Sequence, residues 1–268
     1  MDRADIIDTI AGALIDAPAF RALFLSGSLA HGLADDYSDI DFVAVTTDGA
    51  NDEAAALWRS AVERTGTIVL WWDRTTRPML INAITKDWTR TDVVILKPEQ
   101  MRGQNQANLK TLFDHDGLFD TASTNTPDSR PTAARLRNQF EEFIRVFGLL
   151  HLAVGRKEYL NGVLGLYHLR NLLVGLLVEE TGAPYRGGAL HLNRLITEEQ
   201  KALLTTLPPP IPEREALIAA NLAYARAYLP RARRLAALWG VAWPDAFEAA
   251  TWAHLKATLD IDRPDDLV

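Results

Sequence analysis

The stretch LSGSLAHGLADDYSDIDFVAV, from Leu25 to Val45, decides the fold. Apolar runs lie at both of its ends, and the loop between them carries Gly27 and Ser28, followed by Asp39 and Asp41. Successive side chains of a β-strand point to opposite faces, so the two aspartates share one face of the strand that they begin. The stretch therefore predicts two strands, a turn of small residues, and a pair of carboxylates.

The two aspartates predict a metal site. Ionised carboxylates held this close repel each other unless a cation or a proton lies between them. Mg²⁺ prefers hard oxygen ligands and keeps coordination positions for water and phosphate oxygens. We therefore expect Asp39 and Asp41 to bind magnesium.

The turn predicts a binding site for phosphate groups. Gly27 permits a close approach of the backbone, and Ser28 can open a short helix whose free N–H groups attract anions. Gly27 and Gly32 also have the spacing of the two glycines in a P-loop. Leu33 and Ala34 stand where that motif requires lysine and serine or threonine, which excludes a P-loop.

Together, Gly27-Ser28, Gly32 and Ser38-Asp39-Ile40-Asp41 resemble the signature of the polymerase-β-type nucleotidyltransferase superfamily. The resemblance implies two Mg²⁺ ions, ATP or another nucleoside triphosphate, and a third carboxylate from a later strand. It also implies nucleotide contacts from Gly27, Ser28 and Ser38. Many relatives have arginine where this chain has His31. The contact from His31 to the triphosphate is therefore expected to be weaker or pH-dependent, or to be supplied by Arg156 or Lys157 instead.

Asp92 is the predicted third acid. It lies in the second of two β-like runs, Met79 to Ile84 and Thr89 to Leu96, and shares the face of the signature pair if the strands are neighbours. The resemblance supports Asp92, because family members often place this acid after an aromatic and a basic residue, here Trp88 and Arg90. Asp87 is the rival, at an exposed turn.

Composition limits the partners and the compartment. The 268 residues are 48% hydrophobic and carry a formal net charge of −7, which argues against broad binding of nucleic acid and favours a small acceptor. The absence of cysteine excludes disulfides and thiolate metal sites. The N-terminal sequence does not match a secretion signal, so we expect a cytoplasmic protein.

The chain predicts an α+β fold with two domains. Residues 1–125 are expected to form a catalytic domain with a mixed five-stranded β-sheet flanked by helices. Residues 132–260 are expected to form an all-α helical bundle that binds the substrate, after a turn-rich boundary from Ser123 to Pro131. Asp114-His115-Asp116-Gly117 is interpreted as a hairpin turn and not as a metal site.

The C-terminal half predicts a bundle. An apolar stripe includes Phe140, Phe143 and Phe147, and a second helix near Tyr159 to Val178 is apolar nearly all round. Polar and charged residues within that second helix argue against a membrane span. A later segment, Glu213 to Trp239, is either one long helix or a helix pair kinked at a proline.

The layout resembles that of nucleotidyltransferases that adenylylate aminoglycoside and lincosamide antibiotics. Phe140-Glu141-Glu142-Phe143 and Gly155-Arg156-Lys157-Glu158 are similar to the acid-bearing first helix and the basic helix junction of those enzymes. The resemblance implies that Glu142 binds the acceptor or takes its proton, and that Arg156 or Lys157 can supply the nucleotide contact that His31 makes less well. We expect magnesium-dependent transfer of a nucleotidyl group, adenylyl above others, to a hydroxyl of a small, aminoglycoside-like molecule, with release of pyrophosphate.

Two alternatives remain: an acceptor that is tRNA or protein, and a non-catalytic nucleotide-binding regulator with the same fold. The sequence leaves open the acceptor, the nucleotide, the general base and any role in antibiotic resistance. It also leaves open a homodimer in which a second subunit closes the cleft.

Overall fold

The computed structural model describes residues 1–74, 78–125, 131–183 and 191–267. The chain divides into two units, Met1–Pro127 and Asp128–Val268. The division falls within the predicted boundary segment, of which residues 126–130 lie outside the described part. The catalytic and substrate-binding roles of the two domains stay predictions.

The described residues of the first unit form three α-helices and six strands. The helices are α1 (Arg3–Leu14), α2 (Gly27–Ala30) and α3 (Asn51–Glu63). The strands are β1 (Phe20–Leu25), β2 (Ile40–Thr46), β3 (Ile68–Arg74), β4 (Met79–Thr85), β5 (Arg90–Leu96) and β6 (Lys110–Asp114). Short 3₁₀ helices lie at Pro98–Gly103, Gln106–Asn108 and Leu118–Thr121.

The six strands form one mixed sheet in the order β3-β4-β5-β2-β1-β6. Strands β2 and β5 pair in parallel, and the other neighbours pair antiparallel. The prediction of five strands is wrong by one, because β6 was not recognised. Its sequence, KTLFD, is short and has one buried residue, Phe113, so it lacks a clear alternating pattern, and only its pairing with β1 makes it a strand.

One face of the sheet is covered by α1 and α3. Helix α1 begins at Asp2, whose side chain accepts a hydrogen bond from the backbone N–H of Asp5, and buries an isoleucine-rich stripe on the sheet. In α3, Trp58 is fully buried and contacts Phe42 edge-on, with ring centroids 5.0 Å apart. This packing fixes which residues of β2 and β5 face the helices.

On the opposite face, described residues of the first unit form a second apolar cluster toward the carboxyl ends of β2 and β5. There Val43, Val45 and Leu96 pack against Met101 and Leu118 from the 3₁₀ segments. The amino ends of the same two strands carry acidic residues in place of these apolar ones. The sheet therefore leaves its acids partly accessible.

The segment Asp114 to Gly117 is a turn, but the predicted hairpin is wrong because no strand follows within the described residues of the first unit. A 3₁₀ helix follows β6, and the Asp114 carboxylate accepts hydrogen bonds from the backbone N–H groups of Leu118 and Phe119, at 2.9 and 2.8 Å. Asp116 pairs with Arg21. These partners account for the acids of the turn without a metal.

The described residues of the second unit form helices joined by loops. Its helices are α4 (Ala133–Gly148), α5 (Leu150–Gly155), α6 (Tyr159–Thr181), α7 (Leu192–Leu195), α8 (Glu198–Thr206), α9 (Arg214–Leu238) and α10 (Asp245–Leu259), with a 3₁₀ turn at Asp265–Leu267. Phe143 of α4 stacks on Tyr228 of α9, with ring centroids 3.7 Å apart. Pro230 lies inside α9, which continues through it as one helix.

Helix α6 packs in the core of the second unit. Among the described residues it is the one helix long and apolar enough to cross a membrane by length and composition. Leu166, Leu169 and Leu173 belong to the core cluster that also contains Phe143 and Tyr228. This packing agrees with the predicted role as a bundle helix.

Candidate active site

Three aspartates converge at the amino ends of β2 and β5. Asp39 precedes β2, Asp41 lies in β2, and Asp92 lies in β5. One oxygen of each carboxylate lies within 4.8 Å of the others, and all three residues are half-buried. Among the residues that the structure describes, no other group of three or more His, Asp or Glu side chains meets this geometry. We call these three residues the acid cluster.

Strand register brings the acids together. In the parallel pair β2–β5, Asp41 is the direct partner of Asp92. Thr91 and Val93 are buried, Val93 in the core beneath the helices, so the alternation of the strand places Asp92 on the other face. Asp87 instead lies exposed in the β4–β5 turn, bonded to Thr85. The structure thus brings together the three predicted acids and leaves the rival outside.

The three carboxylates of the acid cluster repel one another, and Arg90 offsets only part of that repulsion. Burial raises the pKa of Asp41 to about 6, and repulsion from Asp39 and Asp92 adds to the shift, while Arg90 opposes it. Burial also raises the pKa of Asp92, against a hydrogen bond from Asn82 that lowers it. A divalent cation among these oxygens would relieve the repulsion that raises the pKa of Asp41. The donor set, three hard carboxylates, fits Mg²⁺.

Arg90 is a site residue that the sequence pattern did not identify. Its Nη1 lies 3.5 Å from Asp39 Oδ2, and its Nη2 donates a hydrogen bond to the backbone carbonyl of Tyr37 at 3.0 Å. Arg90 therefore ties the loop before Asp39 to the start of β5. The sequence does contain a signal for Arg90, because Arg90 lies two residues before Asp92 and the two side chains therefore share one face of β5.

Asn82 of β4 is a second residue that the sequence pattern did not identify. It is the direct antiparallel partner of Asp92, to which it hydrogen-bonds. Its Oδ1 is buried and has no hydrogen-bond partner in the described structure. The alternation of β4 shows that Asn82 lies on the face away from the helices, but only the sheet order places it beside Asp92. We infer that Asn82 orients the Asp92 carboxylate.

Replacing Asn82 with Ala is expected to lower turnover in a pyrophosphate-release assay about 10- to 100-fold, because residues that orient a metal-binding carboxylate have effects of this size. The Mg²⁺ concentration for half-maximal rate is expected to rise as well. Titration with Mg²⁺ separates this effect from simple loss of folded protein. A lower rate with an unchanged Mg²⁺ requirement would contradict the orienting role.

The small-residue turn contacts the acid cluster directly. Gly27 has φ +58°, and a Cβ at this position would lie 2.1 Å from Asp41 Oδ2. The backbone N–H of Ser26 donates to the Asp41 carbonyl at 2.9 Å, which pins the turn to β2. Ser28 is buried, and its Oγ has no partner among the described residues. Gly27 is thus required both by backbone conformation and by the nearness of Asp41.

His31 and Ser38 lie in the loop between the turn and Asp39. Burial lowers the pKa of His31, which favours the neutral imidazole at neutral pH. The Ser38 hydroxyl donates to the Asp35 carboxylate and accepts from the Asp35 N–H, each at 3.0 Å. Ser38 therefore shapes the loop that leads into Asp39. Nucleotide contacts from His31 and Ser38 stay predictions.

Glu142 and Arg156 belong to the second unit. Arg145 donates two hydrogen bonds of 2.7 Å to the Glu142 carboxylate, and His168 Nε2 lies 3.2 Å from it. The hydrogen bonds from Arg145 are the main cause of a lowered pKa at Glu142. Arg156 is exposed at the end of α5. Their predicted roles toward the acceptor and the nucleotide stay predictions.

No family model and no curated protein matches the sequence. The chain is similar to the crystal structure of an aminoglycoside 6-adenyltransferase from Bacillus subtilis, at 14% identity and a TM-score of 0.42, over 95% of this chain and 97% of that one. A nucleotidyltransferase-like protein from Exiguobacterium sibiricum 255-15 matches at 13% identity and a TM-score of 0.38, over 97% and 89% of the two chains. A CCA-adding enzyme matches at 11% identity and a TM-score of 0.36, over 96% and 70%. At identities and TM-scores this low, the chemistry has to be inferred from the residues of the site itself.

Proposed function

We propose that this chain is a magnesium-dependent nucleotidyltransferase. It transfers a nucleotidyl group, adenylyl above others, from a nucleoside triphosphate to a hydroxyl of a small molecule and releases pyrophosphate. One observation carries the proposal: the carboxylates of Asp39, Asp41 and Asp92 converge within 4.8 Å beside a turn at Gly27 that touches Asp41. This arrangement joins a cation site to a place where phosphate groups can approach the backbone.

The acid cluster would hold the metal. Asp39, Asp41 and Asp92 would supply its carboxylate ligands, and Asn82 would keep Asp92 in the ligating orientation. When bound, Mg²⁺ neutralises the polyphosphate and stabilises charge on the attacking and leaving oxygens. Arg90, already paired with Asp39, keeps the loop before β2 in place.

The turn would hold the triphosphate. A side chain at residue 27 would fill the space against Asp41, so its absence leaves the backbone open to a phosphate oxygen. The Ser28 hydroxyl is buried without a partner in the described structure, and a phosphate oxygen would accept its hydrogen bond. Both residues thus act by placing the nucleotide beside the acids.

The reaction exchanges one P–O bond for another. The acceptor oxygen forms a bond to the α-phosphorus, the bond from that phosphorus to the bridging oxygen breaks, and the electron pair leaves with pyrophosphate. We assign the hydroxyl proton to Asp92, which lies beside Asp41 in the acid cluster and therefore next to the reacting phosphate. Glu142, whose pKa is lowered by Arg145, is the weaker base.

A small, cationic and hydroxyl-rich acceptor suits this chain better than nucleic acid does. The formal net charge is −7, which favours cationic ligands and disfavours a polyanion. An aminoglycoside-like compound has both properties, and we propose this class for the acceptor. We place the reaction in the cytoplasm, where nucleoside triphosphates and Mg²⁺ are supplied.

We expect the purified protein to release pyrophosphate when Mg²⁺, a nucleoside triphosphate and a suitable acceptor are all present. The assay crosses the four common triphosphates with streptomycin, kanamycin, lincomycin and tRNA, and mass spectrometry identifies the product. Removal of divalent ions with EDTA is expected to stop the reaction, and added Mg²⁺ to restore it. Transfer of a nucleotidyl group to tRNA would support the alternative in which tRNA is the acceptor. Triphosphate binding without any pyrophosphate release would support the non-catalytic regulator.

A further inference from the structure

A row of four side chains crosses the face of the sheet that carries the acid cluster. Antiparallel pairing places Trp72 of β3 opposite Asn82 of β4, and Asn82 opposite Asp92 of β5. Parallel pairing continues the row from Asp92 to Asp41 of β2. Side chains of directly paired residues lie on the same face of a sheet, so Trp72 shares the face of the acid cluster.

Trp72 is exposed on this face, in contrast to its neighbour in the sequence. Trp72 is 56% exposed, whereas Trp71 packs against the core cluster beneath the helices and has Arg59 of α3 over its ring. A lone exposed aromatic side chain is ordinary on a protein surface. The position of Trp72, in register with three polar residues of the site, is what indicates a surface for a ring-shaped ligand.

Arg74 holds the Trp72 ring and brings positive charge to the same face. It follows Trp72 by two residues on β3, and its guanidinium carbon lies 4.8 Å from the centroid of the Trp72 ring. A cation over an indole ring is a favourable contact, so the ring is held in place while more than half of the residue stays exposed. The charge of Arg74 also acts on Asp92, whose pKa it lowers against the effect of burial. We call Trp72 and Arg74 the β3 shelf.

The β3 shelf and the Gly27 turn lie on opposite sides of the acid cluster. The strand order is β3-β4-β5-β2-β1-β6, the acids lie at β5 and β2, and the turn follows β1. In phosphoryl transfer the attacking and leaving oxygens lie roughly in line across the phosphorus. If the turn holds the triphosphate tail, pyrophosphate leaves toward β1, and the acceptor hydroxyl approaches from the side of β4 and β3.

The distance along the row decides which part of the acceptor reaches the β3 shelf. Neighbouring strands lie about 4.8 Å apart, so the backbone of Trp72 is about 10 Å from the backbone of Asp92. An acceptor with its reacting hydroxyl at the acid cluster therefore contacts Trp72 with a part that extends beyond the reacting group. The contact would be made by a second ring or by the far edge of a large one.

We propose that the β3 shelf binds the distal ring of the acceptor and selects against positive charge on that ring. Trp72 stacks on the apolar face of the ring, while Arg74 repels an ammonium group there and donates hydrogen bonds to hydroxyl oxygens. A cationic acceptor then presents an uncharged ring to the shelf and carries its charge elsewhere. This assignment rests on the proposed function, since it uses the direction of in-line transfer.

Replacing Trp72 with Ala tests the stacking. Calorimetry of the full chain with Mg²⁺ uses two probes, kanamycin, which has an ammonium group on every ring, and lincomycin, whose sugar ring has none. We expect Trp72→Ala to bind both probes about tenfold more weakly, and Trp72→Phe, which keeps an aromatic face, to recover most of the affinity. The melting temperature and the affinity for ATP are expected to be unchanged, because Trp72 is exposed and lies away from the Gly27 turn.

Replacing Arg74 with Gln tests the charge selection, because glutamine keeps much of the side chain and loses the charge. Kanamycin is expected to bind about threefold more tightly to Arg74→Gln than to the wild-type protein, and the gain should shrink as salt is added. Lincomycin should bind equally or more weakly. Arg102→Gln, which removes the same charge from an exposed position in the segment Pro98–Gly103, is the matched control and should change neither affinity.

Binding and catalysis separate the β3 shelf from the transferase. Binding of the probes that depends on Trp72, without pyrophosphate release, would sustain the shelf and refute the transferase. Weaker binding of ATP to Trp72→Ala, with both probes unaffected, would overturn the shelf by assigning the ring to the nucleotide. Failure of both probes to bind the wild-type protein would overturn it as well, and so would equal effects of Arg74→Gln and Arg102→Gln on kanamycin.

Discussion

Replacing Asp41 with Asn is expected to lower pyrophosphate release about 10³-fold or more while making the metal-free protein more stable at neutral pH. Asp41 lies in the middle of the acid cluster, as the strand partner of Asp92 and in contact with Gly27. Metal stabilisation of the transferring phosphate amounts to several kcal/mol, and about 4 kcal/mol corresponds to about 10³ in rate. The loss of the Asp41 carboxylate as a metal ligand should remove most of this stabilisation.

The gain in stability follows from the raised pKa of Asp41. The pKa rises from 3.8 to about 6 on folding, so the folded protein binds more protons than the unfolded chain between these values. The free energy of unfolding therefore falls as the pH rises from about 4 to about 6, and then stays level. Asparagine cannot ionise and avoids this loss. Because Asp41 is only half-buried, we expect the gain at pH 7.5 to be about 1–2 kcal/mol after solvent screening.

Urea unfolding of the metal-free protein at pH 4 and at pH 7.5 measures this effect. Asp41→Asn should match the wild-type protein at pH 4 and exceed it at pH 7.5. Added Mg²⁺ should stabilise only the wild-type protein at pH 7.5. Asp8→Asn, an exposed aspartate on α1, is the matched control and should change neither stability nor turnover. An equal gain at both pH values would show that ionisation of Asp41 does not destabilise the folded protein.

Local sequence patterns were sufficient for the acids and insufficient for the residues that support them. Asp39, Asp41 and Asp92 follow from strand alternation and from a spacing that resembles a known signature. Their meeting required one further fact, the parallel pairing of β2 with β5, which the sequence left as a condition. Once the two strands are neighbours, the register places Asp41 beside Asp92.

The role of Asn82 was not predicted because it depends on sheet order. Arg90 supported the resemblance but was not predicted as a site residue, although its position two residues before Asp92 places both on one face of β5. The alternation of β4 assigns a face to Asn82 but does not identify the neighbouring strand. Similarly, β6 is a strand because β1 offers it a partner, and its own five residues carry almost no signal. Pairing between distant segments depends on the whole sheet, which periodicity along one segment cannot show.

Gly27 shows how the structure adds a physical requirement to a motif residue. The sequence predicted that Gly27 permits a close approach of the backbone and contacts the nucleotide, but it did not identify what a side chain there would meet. The structure shows that its φ of +58° disfavours other residues and that a Cβ would collide with Asp41 Oδ2 at 2.1 Å. The turn cannot easily move away, because Ser26 N–H is bonded to the Asp41 carbonyl. A side chain at residue 27 would therefore displace the Asp41 carboxylate.

Replacing Gly27 with Ala is accordingly expected to lower turnover about 10²-fold or more, since a displacement of about 1 Å in a catalytic site has an effect of this size. Stability is expected to fall by about 1–3 kcal/mol, from the left-handed backbone and the collision together. Gly32→Ala is the matched control, because Gly32 has φ +65° with no atom within 4 Å of its Cβ position. It should lose about 1 kcal/mol of stability and keep its activity.

The two alanine variants separate strain from collision, because both add a methyl group at positive φ and only one meets a carboxylate. Adding Asp41→Ala to Gly27→Ala should recover part of the lost stability without restoring turnover, since the double variant removes the colliding atom together with the ligand. The same Asp41 substitution added to Gly32→Ala should give no such recovery beyond its own effect. Equal losses of activity in Gly27→Ala and Gly32→Ala would instead attribute the requirement to the backbone of the loop and leave Asp41 free to adjust.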